Sequence, residues 1–299
     1  MWAALMATAG PATAAGAGQE TFATPAAAVD ALIAANRHTS TGQLLAILGP
    51  AGAKLIRSGD PVADARGRTR FLAAYDAAHK IEFEGRDKAI LEVGAENWPM
   101  PIPLVHEGGH WRFDTEAGAA EILDRRIGHN ELAVIEVCRA YVAAQREYAA
   151  RRARSGSATE YAQHFMSRGG QRNGLYWPTK AGEEESPLGP LIAQARAAGY
   201  TPGAPHTRPR PYYGYYFRIL TQQGKDAPGG ARNYLVSGHL TGGFALLAYP
   251  AIWSDSGIMT FIVNQDGIVY QKNLGPLTAR LASRITQYDP DASWQVSRP

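Results

Sequence analysis

A single cysteine, Cys138, in 299 residues excludes an intramolecular disulfide and any cysteine-rich metal site. Charge is also thin. Charged residues make up 19%, the net charge is +3, and Arg151-Arg152-Ala153-Arg154 is the one dense basic cluster. Nucleic-acid binders gather their positive charge on one face or helix, so no nucleic-acid partner is expected. No stretch after the N-terminus approaches the ~20 apolar residues that span a bilayer, so the mature chain is expected to carry no membrane span. A phosphate loop, a dinucleotide fingerprint, EF-hand spacing and a G-x-S-x-G elbow are all missing. The sequence therefore predicts no cofactor and no metal.

What is present is a globular composition, with 45% hydrophobic residues and length for two ordinary domains. Residues 1–18 are small and apolar with no charge before Glu20, and Ala12-Thr13-Ala14 has the small-x-small form of a signal-peptidase site. Residues 1–19 read as a signal-peptide remnant, with a mature chain starting near Ala15 that is periplasmic or secreted.

Thr24 before Pro25 marks a helix start, and Val29, Leu32 and Ile33 continue it at helical spacing. A second helix is expected over 41–48, stopped by Gly49-Pro50, and a third over 61–79 with Phe71, Leu72 and Tyr75 as its apolar face. The period then changes. Residues 80–83, 88–93, 101–106 and 110–113 read as strands, the last two joined at Gly108-Gly109, before a helix capped at Asp114 or Thr115. Helices followed by an antiparallel meander make an α+β domain over 20–126, similar in element order to the cone-shaped nuclear transport factor-like fold.

Gly128 marks the expected boundary to a second α+β domain, 127–299. A long helix capped by Asn130 carries Val134, Cys138, Tyr141, Gln145 and Tyr148 along one stripe. A short helix is expected over 160–167, and an irregular excursion over 169–211 with a helix inside it at 188–198. The β core runs from Tyr212 to Gly275, opening with a tyrosine-rich strand and closing with a hairpin at Asp266-Gly267.

His106-Glu107-Gly108-Gly109-His110 matches the zinc-protease pattern H-E-x-x-H by letter. That chemistry needs both imidazoles one helical turn apart on one face. The Gly-Gly pair and alternating flanks instead predict a hairpin tip that splays them. Cys138 falls on the apolar stripe and reads as a core residue. Tyr176, Trp177, Tyr212, Tyr213, Tyr216 and Trp253 are the candidate binding residues. On a continuous strand, Tyr213, Tyr215 and Phe217 would share one face and Tyr212 and Tyr216 the other, and an outward tyrosine set can hold a partner.

Several segments in order resemble the bacterial domain-of-unknown-function 2950 family of exported proteins. They include Ser58-Gly59-Asp60-Pro61-Val62, Trp111-Arg112-Phe113-Asp114-Thr115, Gly174-Leu175-Tyr176-Trp177-Pro178 and Phe261-Ile262-Val263-Asn264-Gln265-Asp266-Gly267. The resemblance implies export and brings no catalytic residues. The second half, a long helix followed by Gly-Tyr-Tyr-Phe strands and an Asp-Gly hairpin, also looks like the globular part of type IV pilins and pseudopilins. It departs from them in having a whole domain before the helix.

The expectation is a non-enzymatic envelope protein that binds another protein or an envelope polymer through the aromatic C-terminal domain. Two alternatives stay open. One is an envelope hydrolase with an interdomain site. The other is a small-ligand binder whose N-terminal domain encloses a cavity among Leu32, Phe71, Tyr75 and Trp98.

Overall fold

A computed structural model describes residues 18–201 and 210–297. Residues 1–17 of the expected signal remnant, with its cleavage site at 12–14, lie outside the described residues, as do residues 202–209 of the excursion. Gln19, counted in that remnant, instead belongs to the first unit and donates to the Ile47 and Phe113 carbonyls. The fold is α+β. Two compact units divide the chain: residues up to Ile56 with Arg70–Ala120, and Arg57–Thr69 with the chain from Glu121 onward. The sequence reading drew its boundary at 126/127.

In the first unit, α1 (Pro25–Arg37) is capped by Thr24, whose side chain accepts from the Ala27 amide. Helices α2 (Thr41–Leu48) and α3 (Ala53–Ile56) follow, and α4 (Pro61–Ala77) begins in the second unit and ends in the first. Of the apolar residues expected on α4, Tyr75 is buried and stacks on His79 at 3.7 Å. Strands β1 (His79–Phe83), β2 (Lys88–Val93), β3 (Trp98–Pro99), β4 (Leu104–Glu107) and β5 (His110–Phe113) form one antiparallel sheet. β2 pairs with β1, β3 and β4, and β4 with β5. Leu91, Val93, Leu104 and Phe113 are buried on it, as are Leu32 and Ile47 on α1 and α2.

The Gly108-Gly109 hairpin forms as expected. Both glycines have positive φ, which a two-residue turn of this hand requires, and Glu107 pairs with His110.

Helix α5 (Thr115–Arg154) is one continuous element of 40 residues. This corrects the two helices read from the sequence, with their break at Gly128 and start at Asn130. A lone glycine costs a helix about 1 kcal/mol relative to alanine, too little to interrupt a chain packed on both sides of it. Gly128 is exposed with nothing near its missing side chain. Asn130 and Glu131 serve tertiary contacts rather than a cap. Asn130 donates to the Ser256 carbonyl, and Glu131 accepts the amides of Ile258 and Met259.

The second unit continues with α6 (Gly189–Ala197), near the range expected for it. The helix expected over 160–167 does not form. Those residues spend their backbone on bridges instead, Tyr161 with Leu240 and Met166 with Tyr176. Then come β6 (Tyr215–Leu220), β7 (Gln222–Gln223), β8 (Arg232–Asn233), β9 (Leu235–Val236), β10 (His239–Leu240), β11 (Ala245–Pro250), β12 (Met259–Asn264) and β13 (Tyr270–Asn273). Helix α7 (Thr278–Arg284) and β14 (Gln295–Val296) close the chain.

The main sheet is antiparallel, in the order β14-β13-β12-β11-β6. Its hairpin between β12 and β13 has Gly267 donating to the Asn264 carbonyl with a φ of +83°. The connection is wider than a two-residue turn, since Ile262 pairs with Tyr270.

Both faces of this sheet are covered, and residues 245–248 are wholly buried. Phe217 and Arg218, neighbours on β6, point to opposite faces. Arg218 donates to the Ala282 carbonyl of α7 at 2.6 Å and to that of Ile285. On the other side α5 buries Val134, Cys138 and Tyr141 in one cluster with Phe244, Leu246 and Phe261.

Candidate functional site

Asp60 is the polar centre of the second unit, although it precedes the sheet by 150 residues of chain. Only 1% of its surface is exposed. Its Oδ1 accepts the Val62 and Ala63 amides, both at 3.1 Å, which makes it the N-cap of α4 with Pro61 as the first helical residue. Its Oδ2 accepts the Tyr200 hydroxyl at 2.8 Å and the Gly214 amide at 2.9 Å. A carboxylate offers about four lone-pair sites, so these donors fill it.

One side chain thus joins the start of α4, the turn after α6 and the turn before β6. The Tyr200 hydroxyl also accepts the Tyr213 amide at 3.3 Å. Burial first, and then Asp60 beside it, push the Tyr200 phenol far up, so it stays protonated and donates.

The turn before β6 corrects the sequence reading of the tyrosines. Tyr212 and Tyr215 exchange backbone bonds, and Tyr213 and Gly214 both take positive φ, 49° and 72°. The strand therefore starts at Tyr215, and Tyr213 does not share a face with Tyr215 and Phe217. Gly214 is required here. A side chain at that position would meet Ser256 at 2.7 Å and Asn130 at 2.8 Å, besides the conformational penalty. Sequence alternation missed this because a Tyr in the left-handed region is uncommon.

Beside Asp60 lies a cavity of about 680 Å³ within the second unit. Val137 and Tyr141 of α5, Leu191 and Ile192 of α6, Phe165 and Phe217 form its apolar wall. Asp60, Tyr200, Thr201, Arg210 and Tyr212 form its polar part. Tyr212 packs edge-on against Tyr200 at 4.8 Å, and its hydroxyl is buried without a well-aligned hydrogen-bond partner. Burial, followed by the neighbouring Tyr213, pushes the Tyr212 phenol far up as well. The charge of Arg66 opposes both shifts.

The six sequence candidates do not converge. Tyr176 and Trp177 are core residues, 7% and 8% exposed, so they offer no outward face. Arg196 lies over the Tyr176 ring, and Arg151 and Arg172 over Trp177. Tyr216 is half-buried against Tyr249, and Trp253 donates to Asn273 at 3.0 Å. Tyr213 meets His129 edge-on at 5.8 Å. Tyr212 alone of the six lines the cavity.

The H-E-G-G-H residues sit at the hairpin tip of the first unit. His106 Nδ1 is 3.1 Å from Asp87, and Glu107 accepts from Arg112. Among the described residues no group of three His, Cys, Asp or Glu side chains could hold a metal. Cys138 is fully buried, and burial pushes its thiol up to about 12, which suits a packing role. Of the residues named for an N-terminal cavity, Leu32 and Tyr75 are buried, Phe71 is half-buried and Trp98 is exposed.

Residues 19–297 match one family model. The chain belongs to the family described as Protein of unknown function (DUF2950). The Ser58-to-Val62 segment that suggested this family contains Asp60, the centre of the site. No curated protein and no solved structure matches the chain.

Proposed function

We propose that this DUF2950 protein is an exported, non-catalytic binding protein of the cell envelope, and that its C-terminal unit holds an apolar part of its ligand in the cavity beside Asp60. One observation carries the reading: a pocket of about 680 Å³, open to solvent on one side and walled mostly by apolar side chains. Ligand sites run to about 300–1,000 Å³ with apolar walls and a few placed polar groups. An envelope polymer or a partner protein would bind through an aliphatic or acyl portion that enters this space. Tyr212 is the tyrosine that contributes.

Calorimetric titration of the purified chain with dodecanol, an uncharged aliphatic probe, tests the cavity. Saturable binding with a negative heat-capacity change is expected, and Ile192→Trp, which fills the space from α6, should abolish it. Absence of binding to the unaltered chain would contradict the reading.

The export half rests on the uncharged, small-residue N-terminus. N-terminal sequencing of the protein from fractionated cells should place its start near Ala15 outside the cytoplasm. An intact Met1 in the cytoplasmic fraction would contradict it.

A further inference from the structure

The cavity is not uniformly apolar, and the chemistry of its polar end identifies what kind of ligand head it takes. We propose that the ligand is a single-chain aliphatic carboxylate, its carboxylate held by the Arg210 guanidinium and its chain lying among Phe165, Leu191 and Ile192. This rests on the cavity being a binding site, as argued above.

Asp60, the one carboxylate on the wall, is already satisfied by four donors from Val62, Ala63, Tyr200 and Gly214. It needs no cation, and it holds Tyr200 rather than offering an acceptor to a ligand. The donor left over points the other way. Arg210 lines the cavity, is exposed, and among the described residues makes a long 3.3 Å bond to the Thr201 hydroxyl. No carboxylate among the described residues pairs with it.

An exposed guanidinium beside an apolar wall fits an anionic head on an aliphatic chain. It disfavours a cationic head, which would meet like charge, and gives a neutral head nothing beyond an ordinary hydrogen bond. Arginine binds carboxylates through paired parallel bonds, so a carboxylate gains geometry as well as charge.

Dodecanoate and dodecyltrimethylammonium below their micellar concentrations, and dodecanol below its solubility limit, would be titrated into the full chain and into Arg210→Gln and Arg210→Lys. Dodecanoate is expected to bind at least about tenfold tighter than dodecanol, the scale of one charge-assisted hydrogen bond. Arg210→Gln should erase that advantage, and Arg210→Lys, which keeps the charge, should retain part of it. The ammonium probe should bind weakest. Equal affinity for dodecanoate and dodecanol, or an Arg210→Gln variant that keeps the preference, would overturn the head-group assignment and leave the cavity reading standing. Failure of both probes on the unaltered chain would overturn the cavity reading and this inference together. Arg210 is exposed, so its variants keep the fold, and an unchanged melting temperature verifies that beside the titrations.

Discussion

At the scale of single residues, Asp60 does the most with one side chain, because its four acceptor positions join three segments distant in sequence. Losing a helix N-cap costs about 1 kcal/mol, and orphaning a buried donor costs about 1–3 kcal/mol. Asp60→Ala should therefore lower stability by about 3 kcal/mol in urea unfolding, since it removes the cap and strands the Tyr200 hydroxyl and the Gly214 amide. Tyr200→Phe removes one donor from an otherwise filled carboxylate, so about 1 kcal/mol is expected. An Asp60→Ala chain as stable as the original would refute the role given to Asp60. The sequence shows half of this residue. Asp60-Pro61 before a helical run is legible as a cap, whereas the Tyr200 hydroxyl, 140 positions away, follows no local rule.

At the scale of elements, legibility followed the range of the interactions that decide each one. The helix start at Thr24-Pro25, the Gly108-Gly109 hairpin and the turn at Asp266-Gly267 are set by local chemistry, and all three form. The helix expected at 160–167 failed because Tyr161 and Met166 bridge to Leu240 and Tyr176, partners no helical period can display. The tyrosine strand failed at its first residues because Gly214 supplies a turn there. Helix α5 failed as two helices because punctuation at Gly128 was given more weight than continuity.

That last correction has its own test. In a continuous helix an exposed Gly128 with open space around it is a pure cost. Gly128→Ala should then raise stability by about 1 kcal/mol, read from the denaturation midpoint. A neutral or destabilising effect would mean that the chain breaks at Gly128 after all.

At the scale of the whole molecule, composition set the class and the comparisons set the family, but neither reveals the cavity. It is built from α4, α5, α6 and β6, and side chains such as Ile192 and Phe217 look in sequence like ordinary core residues. An unfilled space leaves no mark on periodicity, since a wall residue and a packed residue obey the same pattern. The central claim is that this space takes an aliphatic ligand.

Of five methionines, Met166 lines the cavity, whereas Met100 belongs to the first unit and Met259 to β12. The most direct measurement is a dodecanol titration followed by NMR of a chain carrying ¹³C-labelled methionine methyl groups. The account predicts a saturable shift of the Met166 methyl with Met100 unmoved. A still Met166 under saturating probe, or shifts at Met100 instead, would contradict it.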